Sequence, residues 1–304
     1  MKADAVFQGG GVKAIGFIGA IYRLEEENII WKRLAGTSAG AIVASLLAVG
    51  YTGRELKEII YNIDYKKLEE KSLLQNIPLV GKPLELLIEK GILSTDSIEK
   101  YLIYLYKKKD KLKFKDISIN GQSRLKIIAT DVTNKKLLVL PDDIKDYGID
   151  PMEFEISKAV RMSISIPFVF TPVKLNYMGQ DVYIVDGGLT SNYPIWIFDV
   201  ESVPRWPTLG FKLKKSKEKI ICGKADFLSY VYDVADTVIE CYDETYLNDK
   251  DKVRTISIPT LGVKSTDFHI DLSKKEDLFN IGYERADKFL KSWNFENYIR
   301  KYRR

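Results

Sequence analysis

The chain has 304 residues, with 47 Lys and Arg against 42 Asp and Glu, which gives a formal net charge of +5 at pH 7. This mildly basic balance argues against a protein that binds nucleic acid through a strongly basic surface. With 45% hydrophobic and 29% charged residues, the composition is that of a globular protein and excludes intrinsically disordered and fibrous classes.

The cysteines and the N-terminus favour a protein of a reducing compartment. Cys222 and Cys241 are too few to cross-link a chain of this length, and they lack the C-x-x-C spacing of metal and redox sites. The N-terminus does not have the charged-then-apolar order of a secretory signal. The longest apolar stretch, residues 39–49, falls short of the ~20 residues that cross a bilayer. We expect a cytoplasmic protein with at most peripheral membrane contact, and delivery by a route without an N-terminal signal stays open.

The N-terminal part of the chain alternates between strand and helix patterns. An apolar run at residues 3–7 ends at a group of glycines and predicts a buried strand with a tight turn. Residues 12–27 have apolar side chains at helical spacing, residues 29–35 form a second apolar run, and residues 39–49 predict an internal helix. This order predicts an α/β fold with a mostly parallel sheet and crossover helices.

The remaining patterns continue to the C-terminus as one domain over residues 1–304. Thr52 and Glu55 have capping-box spacing and begin an amphipathic helix. Residues 65–90 are charged, with apolar patches broken by Pro and Gly, so we expect a helical insertion there that acts as a lid. The other predicted elements are a helix over 94–109, strands at 125–129, 137–140, 182–185 and 209–213, a helix over 226–247, a strand at 253–258, a capped helix over 273–293 and a basic tail over 294–304.

A first candidate for chemistry is the G-x-S-x-G match at Gly36–Gly40, between a predicted strand and a predicted helix. A nucleophile elbow has this context, because glycine neighbours let strand and helix approach while the Ser38 hydroxyl projects outward. The helix N-terminus behind Ser38 favours negative charge that develops on a substrate. The alternative is a glycine-rich turn with a capping serine.

A second candidate is the glycine run Gly9, Gly10 and Gly11, which opens the first helix with free backbone N–H groups. Such donors stabilise an oxyanion. The stretch from Gly9 to Ala14 also fits the dinucleotide-binding pattern G-x-G-x-x-A, so nucleotide binding is an alternative function. A dinucleotide-binding strand carries an acidic residue at the end of its second strand, and no carboxylate stands at that position here.

A serine nucleophile needs a base, and the chain has one histidine, His269. A lone histidine beside a helix start is more often a surface or packing residue than a catalytic one. A carboxylate that acts directly is then required. Asp186 is the best candidate, because it follows an apolar run and precedes Gly187 and Gly188, which leave room for close approach. An Asp-Gly pair is equally typical of a hairpin turn.

Taken together, these segments resemble the patatin-like phospholipase family, whose signature blocks are a glycine-rich loop, G-x-S-x-G and a later Asp-Gly-Gly. Residues 159–173, AVRMSISIPFVFTPV, and residues 185–194, VDGGLTSNYP, are similar to further blocks of the family. The resemblance follows the family's order through nearly the whole chain. Lys13 and Ala14 depart from it, because Arg and Gly usually follow the family's glycine run.

The resemblance implies a three-layer α/β/α domain and a two-residue dyad, in which Ser38 is the nucleophile and Asp186 is the base. The loop Gly9–Gly11 supplies the oxyanion hole, and the implied reaction is hydrolysis of fatty-acyl esters in phospholipids or lysophospholipids through an acyl-enzyme. No metal and no organic cofactor is implied. A catalytically silent lipid-binding protein is a further alternative.

The implied partners are lipids rather than nucleic acid, and an activating protein partner stays open. The basic clusters Lys107–Lys115 and Arg300–Arg304 are candidates for contact with an anionic membrane surface. A solvated helix face and a frayed tail are the simpler interpretation of both clusters.

Overall fold

The structure is a computed structural model, and it describes residues 1–62, 91–214, 234, 237, 247–265, 267 and 270–302. The predicted insertion over 65–90, most of the predicted helix over 226–247 and His269 lie outside the described residues. Within the described residues, no helix is long and apolar enough to cross a membrane.

The described strands are β1 Lys2–Phe7, β2 Ile30–Thr37, β3 Gly91–Leu93, β4 Ser118–Ile119, β5 Gln122–Ser123, β6 Leu125–Asp131, β7 Lys136–Leu140, β8 Phe168–Phe170, β9 Val173–Tyr177, β10 Gln180–Asp186, β11 Thr208–Lys214 and β12 Thr255–Pro259. The centre of the fold is an eight-stranded sheet in the order β12-β11-β1-β2-β6-β10-β9, with β7 also paired to β6. β12, β11, β1, β2 and β6 pair in parallel, whereas β6 pairs antiparallel with β7 and β10, and β10 with β9.

Helices flank the sheet, so the predicted α/β fold with a mostly parallel sheet is confirmed. The described helices are α1 Ile15–Glu26, α2 Ala39–Val49, α3 Gly53–Asn62, α4 Asp96–Lys107, α5 Ile156–Ile164, α6 Gly188–Ser191, α7 Asp249–Lys252, α8 Leu272–Ser292 and α9 Phe295–Tyr302. α1 packs along α8, and α2 packs on β1 and β2.

Apolar side chains cover both faces of the sheet. On one face the rings of Phe7, Phe17 and Phe211 pack together, with the Phe7 and Phe211 centroids 4.6 Å apart. On the other face Val6 and Ala35 pack under the segment 193–198. Phe7 and Val6 are neighbours in β1 and point to opposite faces, as the period of a strand requires. Burial on both faces explains why the consecutive residues Ala5, Val6 and Phe7 of β1 are all apolar.

Several local predictions need correction. α8 begins at Leu272 and is capped by Asp271, whose carboxylate accepts the Lys274 N–H at 2.8 Å, so Ser273 is not its cap. The predicted basic tail contains the helix α9. The sequence patterns also missed α5 and the strands β8 and β9. In the basic cluster over 107–115, Lys113 and Lys115 both pair with Glu153, which leaves less positive charge for a membrane.

Candidate active site

The site lies where two strands meet end to end beside β6. β2 pairs with the first part of β6 and its last residue, Thr37, lies opposite Ile128. β10 runs the other way along the same side of β6 and its last residue, Asp186, lies opposite Ala129. The ends of β2 and β10 therefore stand at successive register positions on β6. This pairing brings Ser38, which follows β2, next to Asp186.

Ser38 occupies a sharp turn between β2 and α2. Its backbone has φ 53 and ψ −128, a conformation that L-residues other than glycine rarely adopt, and its side chain is half-buried. The turn requires small neighbours: a Cβ at Gly40 would lie 2.5 Å from the Gln8 carbonyl oxygen, and one at Gly36 would lie 2.3 Å from the Gly40 carbonyl oxygen. The geometry is that of a nucleophile elbow.

Residues at the end of α5 form hydrogen bonds with the backbone of Ser38 and of Asp186. The Ser38 N–H donates to Ser163 Oγ at 2.9 Å, and the Ser163 hydroxyl in turn donates to the Ile128 carbonyl at 2.6 Å. The Asp186 N–H donates to the Ser165 carbonyl at 2.9 Å. One short segment therefore fixes the positions of Ser38 and Asp186 relative to each other, and Ser163 is fully buried beside them.

The Asp186 carboxyl is fully buried and only partly hydrogen-bonded. Its Oδ1 accepts the Gly188 N–H at 2.7 Å, whereas its Oδ2 has no hydrogen-bond partner among the described residues. Gly187 packs closely on β6, because a Cβ there would lie 2.2 Å from the Ile128 carbonyl oxygen. β10 ends at Asp186 and α6 begins at Gly188, so the hairpin interpretation of Asp-Gly is wrong.

Burial raises the pKa of the Asp186 carboxyl to about 7, and the Ser38 hydroxyl and the Gly188 N–H oppose this rise. The Ser38 hydroxyl thus reaches the carboxyl closely enough to act on its pKa. It does so without completing a hydrogen bond to Oδ2. In the absence of substrate such contacts are often long, and they tighten in the reacting complex.

The glycine loop passes directly over Ser38, since a Cβ on Gly9 would lie 3.1 Å from the Ser38 Cβ. The Gly9 N–H donates to the Asn192 carbonyl at 3.1 Å, so the expectation that Gly9 supplies an oxyanion donor needs correction. The N–H groups of Gly10 and Gly11 have no backbone partner among the described residues.

The sequence patterns did not single out Ser163, Ser165 or Asn192. Asn192 is 2% exposed, its Oδ1 has no hydrogen-bond partner among the described residues, and a Cβ on Gly9 would lie 2.2 Å from that oxygen. The sequence feature that could have pointed to these residues is the high density of small and polar residues in the segments 159–173 and 185–194. In the part of the chain that is described, no group of three or more His, Cys, Asp or Glu residues is placed to hold a metal.

Comparison with known proteins gives a family and a fold. Residues 5–199 match the family model described as patatin-like phospholipase. The uncharacterized protein YqhO of Bacillus subtilis is 36% identical over 300 residues, which cover 97% of this chain and all of that protein. The probable lipid hydrolase 463L of Invertebrate iridescent virus 6 is 28% identical over 193 residues, which cover 62% of this chain and 61% of that protein.

Two solved structures share the fold. VipD from Legionella pneumophila superposes with a TM-score of 0.57 at 20% identity, over 95% of this chain and 67% of that one. The type III effector protein ExoU superposes with a TM-score of 0.51 at 16% identity, over 95% of this chain, which spans about half (53%) of the ExoU chain.

Proposed function

The chain belongs to the patatin-like phospholipase family, and from this premise we propose that it is a serine acyl hydrolase that cleaves fatty-acyl esters of phospholipids or lysophospholipids. Ser38 is the nucleophile and Asp186 is the base. The observation that carries the proposal is the end-to-end meeting of β2 and β10 on β6, which sets the elbow serine beside a buried carboxyl.

The reaction has two steps. Asp186 accepts the Ser38 hydroxyl proton while Ser38 Oγ attacks the ester carbonyl carbon. The N–H groups of Gly10 and Gly11 hold the negative oxygen of the tetrahedral intermediate. The intermediate collapses when Asp186 gives its proton to the leaving alcohol, and an acyl-enzyme remains. Water then attacks the acyl-enzyme, Asp186 takes and returns a proton in the same way, and the free fatty acid leaves.

The environment of Asp186 suits this role. A carboxylate with an ordinary pKa near 4 is a weak base toward a serine hydroxyl. Burial, by raising the Asp186 pKa to about 7, makes it a stronger proton acceptor that is still about half ionised at pH 7. The glycine loop leads into a helical turn over Gly11–Ala14. The positive potential at the start of this turn favours the developing oxyanion.

The site supports hydrolysis better than nucleotide binding, the alternative that the glycine loop also fits. Dinucleotide binding needs a carboxylate at the end of the second strand, and β2 ends instead in Thr37, with Ser38 directly after it. A catalytically silent lipid-binding protein would differ from the proposed hydrolase only in turnover, so a measurement of activity distinguishes the two.

The test is release of fatty acid from vesicles of defined phospholipids and from lysophospholipid micelles. We expect the purified chain to release free fatty acid and the His269→Ala variant to do so at the wild-type rate. No release from either substrate by folded protein, or tight binding of NAD or ATP, would reject the hydrolase. An inactive His269→Ala variant would reject the dyad.

The first prediction concerns pH. Because Asp186 must be ionised to accept the serine proton, kcat/KM should rise with pH through an apparent pKa of about 7 and level off above it. A pH profile of kcat/KM with a soluble ester measures this. A profile that is already flat between about pH 5 and pH 8 would mean that a group with an ordinary carboxyl pKa, or none, limits the reaction.

The second prediction concerns Ser163. Replacement of Ser163 by Ala frees the Ser38 N–H and loosens the elbow, so kcat should fall about tenfold to 10²-fold with KM unchanged. Ser45→Ala is the matched control, since Ser45 is equally buried and its hydroxyl donates to the Ile42 carbonyl within α2 and accepts the Tyr106 hydroxyl. Equal loss of kcat in both variants would show that the effect is general destabilisation.

A further inference from the structure

Asn192 is a buried polar residue whose side chain makes no hydrogen bond to the rest of the protein as described. Its Oδ1 is enclosed without a partner, and no hydrogen bond from its Nδ2 is found among the described residues. A carboxamide can donate two hydrogen bonds and accept two more. Burial of such a group without partners costs free energy that an apolar side chain of the same size would not cost. Packing alone therefore does not explain a carboxamide at this position.

The main chain of Asn192 makes the contacts that fix this part of the fold. Its carbonyl accepts the Gly9 N–H at 3.1 Å. Its backbone, with φ −79 and ψ −23, ends α6 in the ordinary helical region. Any residue other than proline could make both contributions, because neither involves the side chain. The carboxamide itself has no structural role among the described residues.

The carboxamide lies beside the candidate nucleophile. A Cβ on Gly9 would lie 2.2 Å from Asn192 Oδ1 and 3.1 Å from Ser38 Cβ. The carboxamide and the Ser38 side chain therefore meet at the space that glycine leaves open at position 9. A larger residue at this position would push the carboxamide away from Ser38.

The helix α6 holds the carboxamide in place relative to the base. It begins directly after Asp186-Gly187 and ends at Asn192. At its start the Asp186 carboxyl accepts the Gly188 N–H at 2.7 Å, and at its end the Ser191 carbonyl accepts the Thr37 hydroxyl at 2.9 Å. Such fixed polar groups stabilise charge that develops in a transition state, because they need no reorganisation during the reaction.

The carboxamide can present a donor to a substrate at Ser38. A half-turn about its Cβ–Cγ bond exchanges Oδ1 and Nδ2 without a change of shape, and no hydrogen bond to the described residues opposes this rotation. Nδ2 then occupies the space beside Gly9. The Gly9 N–H, which the sequence pattern assigned to the oxyanion hole, donates to the Asn192 carbonyl instead. Asn192 thus removes one donor from the loop and supplies another.

We propose that Asn192 is a further catalytic residue, whose Nδ2 donates a hydrogen bond to the ester oxygen as that oxygen becomes negative. The proposal rests on the proposed function and adds a side-chain donor to the N–H groups of Gly10 and Gly11. No proton is transferred from Asn192 and no covalent bond to it forms. Its hydrogen bond strengthens as the tetrahedral intermediate forms and weakens when that intermediate collapses.

The test compares Asn192→Leu and Asn192→Asp with the wild-type chain. Leu has about the size of Asn without its polar atoms, and Asp has its shape without its donor. On the soluble ester p-nitrophenyl butyrate, kcat should fall about 10²-fold in Asn192→Leu with KM nearly unchanged. The fall should be larger in Asn192→Asp, because a negative charge opposes the oxyanion. The Tm of Asn192→Leu should equal or exceed that of the wild type, since an unpartnered buried polar group is removed.

A transition-state analogue separates the oxyanion donor from other effects on the site. Ser38 Oγ adds to the carbonyl carbon of an alkyl trifluoromethyl ketone, and the adduct carries its negative oxygen where the ester oxygen would be. The inhibition constant of this ketone should rise in Asn192→Leu by about the factor by which kcat falls. An unchanged inhibition constant would overturn the proposal.

Ser123→Ala is the control for loss of a buried polar side chain that does have a partner. Ser123 is 6% exposed, and its hydroxyl donates to the Leu125 carbonyl at 2.9 Å, at the end of β6 away from Ser38. This variant should have a lower Tm and the wild-type kcat.

Two further results would overturn the role of Asn192. One is wild-type kcat in Asn192→Leu. The other is a fall in its kcat together with a fall in Tm as large as that of Ser123→Ala, which would indicate a structural residue. Absence of turnover in the wild-type chain would instead reject the hydrolase itself, and the role of Asn192 with it.

Discussion

Replacement of Asp186 by Asn should lower kcat on a lipid ester by about 10³- to 10⁴-fold, because the variant cannot accept the Ser38 proton. The geometry should survive. Asn Oδ1 can accept the Gly188 N–H as the carboxylate does at 2.7 Å, and the backbone contact to Ser165 does not involve the side chain. The loss should therefore appear in kcat with little change in KM.

The same substitution should stabilise the fold above neutral pH. A carboxyl whose pKa is 3.8 in the unfolded chain and about 7 in the folded chain binds its proton more tightly when folded. Its contribution to stability is complete below about pH 4 and is lost as pH rises to about 7. Asn carries no such dependence, so the variant should gain up to about 4 kcal/mol over the wild type at pH 8 and nothing at pH 4.

Denaturant unfolding of both proteins at pH 5 and pH 8 measures this difference. A variant that loses activity but is destabilised at pH 8 would mean that the Asp186 carboxylate is held by an interaction that Asn cannot replace. Full activity of Asp186→Asn would exclude the carboxylate as the base.

Replacement of Ser38 by Ala should reduce hydrolysis by about 10⁴-fold or more, since the variant lacks the hydroxyl that forms the acyl-enzyme in the proposed reaction. The elbow should remain intact, because the contacts that hold it are made by the Ser38 N–H to Ser163 and by the glycines that flank the turn. Release of fatty acid at saturating lipid is the readout, and the variant should still bind lipid vesicles.

The Ser38→Gly variant is the informative partner of Ser38→Ala. The φ of 53 and ψ of −128 at this position favour glycine, so Ser38→Gly should be inactive and more stable than the wild type by about 1–3 kcal/mol. Ser38→Ala retains the strain and should have nearly the wild-type stability. Equal stability of the Gly and Ala variants would show that the turn carries no strain.

The elbow could be predicted from the sequence because its requirements are local. A strand pattern, G-x-S-x-G and a helix pattern follow one another within residues 29–49, and the small residues are needed at positions that the chain itself brings close. Helix α2 begins and ends where its apolar pattern does. The capping box at Thr52 and Glu55 also formed as its spacing indicates, with the Thr52 N–H donating to Glu55 at 2.9 Å.

Asp186 could not be placed in the same way. Its proximity to Ser38 depends on β10 running antiparallel and continuing the line of β2 along β6, and pairing over so long a separation leaves no local pattern. The apolar run before Asp-Gly-Gly made Asp186 the best candidate carboxylate, but only the resemblance to a family paired it with Ser38. The use of the Gly9 N–H by Asn192 was hidden for the same reason, and so were the contacts of Ser163 and Ser165.

The most direct measurement is the site of covalent labelling by a fluorophosphonate, read by mass spectrometry of the proteolysed chain. At pH 8, above the pKa of Asp186, one adduct on Ser38 is expected, and its formation should be much slower in the Asp186→Asn variant and unchanged in His269→Ala. An adduct on a different residue, or a Ser38 adduct that forms equally fast without the Asp186 carboxylate, would contradict the dyad.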